Sequence, residues 1–179
     1  MSSENVESLI NEFRTENTSL FSNPDMSNKV SLIRRLAYFD DPRIMPFFLQ
    51  VVADRNEYDL ARIEVLRLLE IRKHLQEDER NQVANVIIGL LRSELDDDVR
   101  NYAAMAAASF VDIPAVAAET VRLVFETGLD ENLRCNLIAA IEKIGNNEQT
   151  REIFQSLTLD PSPALSKWAT RVLAERRAN

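Results

Sequence analysis

Four times along the chain a basic residue is followed by apolar residues three, four and seven positions later. The copies are Lys29 with Leu32, Ile33 and Leu36; Arg62 with Val65, Leu66 and Leu69; Arg100 with Ala103, Ala104 and Ala107; and Arg134 with Leu137, Ile138 and Ile141. A fifth copy aligns Leu165 with Trp168, Ala169 and Val172, with the basic position lost. Offsets of three, four and seven place side chains on one face of an α-helix. The copies recur at spacings of 33, 38, 34 and 31 residues. A repeat of that length is a supersecondary unit that cannot bury its own apolar face, so neighbours must stack into one core. Three glycines and six prolines in 179 residues are too few for the tight turns of a sandwich, a barrel or a doubly wound sheet. The fold class is therefore all-α.

The helix boundaries are marked by acidic, Asn-rich or Pro-containing breaks at Asn23-Pro24-Asp25, Asp40-Asp41-Pro42, Asp54 to Asp59, His74 to Asp78, Asp96-Asp97-Asp98, Asp112-Ile113-Pro114, Asp130, Gly145-Asn146-Asn147 and Asp160-Pro161-Ser162-Pro163. Such residues bond the free N–H groups of a first helical turn and suit its positive dipole end, and each break is expected to be a cap. About ten helices of ordinary length result. They pair over residues 4–39, 43–72, 78–110, 114–144 and 148–176 of a single domain, 1–179.

Asp98-Val99-Arg100 followed by Ala103 and Ala107, and Asn132-Leu133-Arg134 followed by Leu137, Ile141, Ile144 and Gly145, resemble the second helix of HEAT-like repeats, especially the short bacterial kind also found in phycobilin lyases. Ala37 to Pro46, with Asp41-Pro42-Arg43, is similar to the turn between successive pairs. The tetratricopeptide and ankyrin signatures are missing. The resemblance implies a right-handed α-solenoid of about five helix pairs whose concave face is lined by the second helices. It also assigns Asp98, Arg100 and Arg134 to bridges between neighbouring repeats.

Known reaction motifs are mostly excluded. With 3 glycines and 1 histidine no dinucleotide fingerprint, phosphate loop or zinc-protease motif can be written. His74 suits a helix C-terminus, and a lone histidine makes a poor transition-metal site. Cys135 follows Arg134 but has no histidine nearby in sequence to serve as a base, so an inert, partly buried thiol is expected. The paired carboxylates fall where caps are needed, and Asp96-Asp97-Asp98 lacks the alternation of a calcium loop. Trp168 is expected in the core of the last repeat. No cofactor and no metal are expected, and the chain is expected not to be an enzyme.

What remains is binding. Positions two and five residues after each basic mark face away from the core and would line the concave surface: Ser31 and Arg34, Glu64 and Arg67, Tyr102 and Met105, Asn136 and Ala139, Lys167 and Thr170. Arg34, Glu64, Arg67, Tyr102, Met105, Asn136 and Lys167 are the candidate partner-binding residues, several being types enriched at interface centres. Charge adds a second surface. Twenty-one basic against 29 acidic residues leave a net charge of −8, and Asp96, Asp97, Asp98, Glu119 and Glu126 concentrate it into a ridge that could steer a basic partner. An adaptor or inhibitor binding another protein is the expected function. An immunity-type protein neutralising a basic toxin, a DNA-binding or glycosylase-like solenoid, and a bilin lyase or chaperone are the alternatives. Nucleic acid is disfavoured by the acidity. Neither a signal peptide at Met1 to Asn5 nor a bilayer-spanning run is evident, and with a lone cysteine a cytoplasmic protein is expected.

Overall fold

In the computed structural model of the chain the described residues are 5–16, 28–72 and 75–178. The break expected at Asn23-Pro24-Asp25 and the helix end expected at His74 lie outside them. The described residues form ten α-helices and no strand: α1 Val6–Thr15, α2 Asn28–Leu36, α3 Ile44–Ala53, α4 Asp59–Ile71, α5 Glu77–Ser93, α6 Asp97–Ala107, α7 Pro114–Val124, α8 Glu131–Lys143, α9 Glu148–Leu157 and α10 Pro163–Ala178.

Several starts follow the expected chemistry. Asn5, Asp96 and Asp130 accept from Glu7, Val99 and Leu133 backbone N–H groups at 3.0, 2.8 and 3.1 Å. Asn147 and Thr150 form a reciprocal capping box. Pro114 and Pro163 open α7 and α10, where a missing N–H costs nothing. Other starts differ. The residues preceding α3, α4 and α7 are Arg43, Tyr58 and Ile113, none of which caps with its side chain. The nearby aspartates shape the turns instead. Asp54 accepts from Asn56 N–H at 2.9 Å, and Asp41 accepts from both the backbone and the guanidinium of Arg43. That clamp holds the Asp41 carboxyl down at about 2.

The chain forms two compact units, Met1–Val86 and Ile87–Asn179, with the boundary inside α5. In the first, α1 packs on α2, α3 on α4, and α2 on α4. Leu9, Phe13, Leu32, Ile33, Phe48, Val52 and Leu66 fill its core, and Phe13 meets Phe47 edge to face at 5.2 Å. In the second, α7 packs on α8 and α9 on α10, while α8 packs on both α6 and α10. Second helices thus pack on second helices. Close approach of α6 to α8 is permitted by its buried Ala103, Ala104, Ala106 and Ala107.

The repeated basic position acquires a structural role. Nε of Arg62, Arg100 and Arg134 donates to the carbonyls of Val52, Leu91 and Val124 at 3.2, 3.0 and 2.9 Å. Each acceptor lies near the C-terminal end of the pair's first helix, where carbonyls have no intrahelical donor. From Lys29 and Arg134 the rung continues to a carboxylate in the turn of the next pair. Lys29 meets Glu57 at 2.5 Å, and Arg134 forms a buried two-point pair with Asp160. Arg100 has no carboxylate partner among the described residues and is half-buried. Asp98 stands exposed and forms no such bridge. The terminal copy also differs from expectation: Leu165, Ala169 and Val172 are buried, but Trp168 is half-buried, its Nε1 donating to Glu142 at 2.9 Å.

Candidate functional site

In the first unit the packing of α2 on α4 brings three of the candidate residues together. Arg34 donates from Nε and Nη2 to the two oxygens of Glu64 at 2.7 and 3.1 Å, and Arg67 Nη1 lies 3.7 Å from the same carboxylate. Glu64 is buried while both guanidiniums are exposed. Sequence placed Glu64 on the surface with its neighbours; the arginines instead cover it. A bidentate contact fixes the plane of a guanidinium, and the hydrogen bond and charge of Glu64 hold the Arg34 pKa above its ordinary value. The cluster carries one net positive charge, with guanidinium donors left facing solvent.

In the second unit α6, α8 and α10 carry the remaining candidates. Asn136 donates to Asn101 at 3.1 Å, tying α8 to α6. Tyr102 is half-buried and Met105 exposed. Lys167 lines a shallow cleft of about 370 Å³ with Trp168 and Arg171, the Arg171 guanidinium lying 5.6 Å from the indole centroid. Cys135 is half-buried. Burial, followed by the charge of Glu131, pushes its thiol up, the direction opposite to that of an activated nucleophile.

The acidic ridge is altered by packing. Glu119 is 4% exposed and accepts from Arg92 at 2.9 Å and from Arg122 at 2.8 Å. Arg122 also reaches Glu126 at 3.1 Å. Burial alone would raise the Glu119 carboxyl; the hydrogen bonds from Arg122 and Arg92 outweigh it and hold the group below its ordinary value. Glu119 is thus an internal tie between α5 and α7 rather than a source of outward field. Asp97 and Asp98 remain exposed.

Two grooves were not anticipated from the sequence. One, of about 580 Å³, runs between α1 and α3 over Ile10, Pro46 and Phe47 with Arg14 and Arg43 at its rim. The other, of about 520 Å³, separates α7 from α9 over Ala117, Val121, Ile144 and Ile153. Both lie between first helices of successive pairs. The prolines flanking Arg43 were the nearest signal, and they mark a turn, not a groove. Among the described residues no group of three His, Cys, Asp or Glu side chains could hold a metal ion. No described helix is long and apolar enough to cross a membrane. No known protein family matches the sequence, and no curated protein matches it.

Proposed function

We propose that the chain is a small right-handed α-solenoid of HEAT-like helix pairs, without chemistry of its own, that binds a protein partner through the face formed by its second helices. Two features support the solenoid. Within each unit the second helices pack on one another, whereas the first helices are parted by grooves. A stack that is tighter on one side curves toward that side, which supports the reading of the second helices as an inner layer.

The observation that carries the binding reading is the Arg34–Glu64–Arg67 cluster. Exposed arginines ordinarily lose side-chain entropy on docking; here one buried carboxylate restrains two of them before any partner arrives. Arg and Tyr are also the types that dominate interface energetics. A phosphate track is disfavoured, because Glu64 offsets one of the two charges a nucleic acid would need.

The test is affinity capture from nuclease-treated lysate, washed at about 0.3 M salt to screen weak surface attraction, with wild type and with Arg67→Ala. A stoichiometric protein retained by the wild type and lost by the variant, with helix content unchanged, is expected. Equal capture by the variant moves the site elsewhere. Nucleic acid alone, lost on nuclease treatment, overturns the reading.

A further inference from the structure

The turns that join the two helices of each pair in the second unit lie along one edge. Helices α6, α8 and α10 are in register at their N-terminal halves: Asn101 meets Asn136, and Glu131 accepts from Ser162 at 2.5 Å. Their preceding turns are therefore neighbours. Each turn exposes an apolar side chain that the core does not use, Leu95 at 85%, Phe125 at 41% and Leu159 at 86% exposure. Single exposed apolar residues are ordinary; one on each of three neighbouring turns is not accounted for by packing.

The charge beside these turns is negative on balance. Asp97 and Asp98 are exposed with no cation partner among the described residues, and Asp130 is exposed at the start of α8. The nearby cations are already engaged: Arg92 and Arg122, though more than half exposed, are paired with the buried Glu119, and Arg100 bonds the Leu91 carbonyl. Stacked helices are spaced by about 10 Å, close to the rise of about 11 Å over two turns of an α-helix.

We propose that this edge, Leu95, Phe125 and Leu159 beside Asp97, Asp98 and Asp130, docks a basic amphipathic helix of a protein partner whose apolar residues recur every seven positions. The apolar row would take the recurrent side chains, and the aspartates would select Lys or Arg on the flanks. An anionic lipid surface is opposed by the same aspartates. The site uses none of the residues of the Arg34–Glu64–Arg67 cluster and stands or falls independently of it.

The probe is a synthetic 18-residue helical peptide of leucine and lysine with the heptad spacing, titrated against its leucine–glutamate counterpart. The lysine peptide should bind, the glutamate peptide should not, and Leu95→Ser/Leu159→Ser should weaken binding by about tenfold or more. Asp97→Asn/Asp98→Asn should weaken it and flatten its salt dependence. Both pairs are exposed, and unchanged urea midpoints would show that the fold is kept. Equal affinity of the serine variant for the lysine peptide overturns the proposal, as does equal binding of the two peptides. Self-association, or binding to phosphatidylserine vesicles, that is lost in the serine variant would assign the edge to a second copy or to lipid and overturn it equally.

Discussion

Glu119 shows how one side chain can link acid sensitivity to packing. Its folded-state pKa lies below the ordinary value of a glutamate because Arg122 and Arg92 bond its charged form. The stabilisation is therefore complete above the unfolded pKa and is lost as pH falls through the folded one. Its partners are more than half exposed, so in Glu119→Gln both guanidiniums can rehydrate. The cost at pH 7 should be about 1–3 kcal/mol, as for hydrogen bonds to charged groups, and not the larger penalty of stranding a buried ion. Urea unfolding at pH 7 and again below pH 4 measures both: the gap between wild type and variant should shrink at low pH. A gap independent of pH would mean the ion pairs contribute nothing. Locally, the sequence offered little hint of this role, because Arg92 comes from another helix 27 residues earlier.

At the scale of elements, turn carboxylates do two jobs. Glu57 accepts from Tyr58 N–H and from Lys29; Asp160 accepts from Ser162 N–H and from Arg134. Glu94 likewise accepts from the N–H groups of Leu95 and Asp96, the latter being the cap of α6. In the turn before α8 the position two residues ahead of the cap Asp130 is Gly128, which explains why Arg100 finds no carboxylate. A Cβ at Gly128 would meet nothing within 4 Å, and its φ is not in the left-handed region. Gly128→Asp should complete the rung and raise stability by about 0.5–1 kcal/mol, or about 1–4 °C in Tm for a chain of this size. Gly128→Ala separates the backbone-entropy gain from the charge, and in an Arg100→Met background the charge component should vanish. An unchanged gain there would rule out the rung. The caps at Asp96, Asp130 and Asn147 were legible because they act on their own first turn; those expected before α3 and α4 were not, since Asp41 and Asp54 bond the turn itself.

At the scale of the molecule, periodicity located nearly all of the buried second-helix positions, because the offsets of three, four and seven record a face that must be buried. It also grouped Arg34, Glu64 and Arg67 on adjacent helices. It did not show that Glu64 is covered, that Trp168 is left half-exposed, or that grooves part the first helices. Those depend on how closely neighbouring pairs approach, and the small residues of α6 bear on that only once its partner is known. Cys135 gives access to this packing from the outside. As the chain's one thiol, half-buried on α8 and pushed toward its protonated form by burial, it should alkylate slowly in the native state and at the rate of a free cysteine in urea. Its residual native rate then clocks how often α8 works loose, without a label, a partner or a variant having to be introduced.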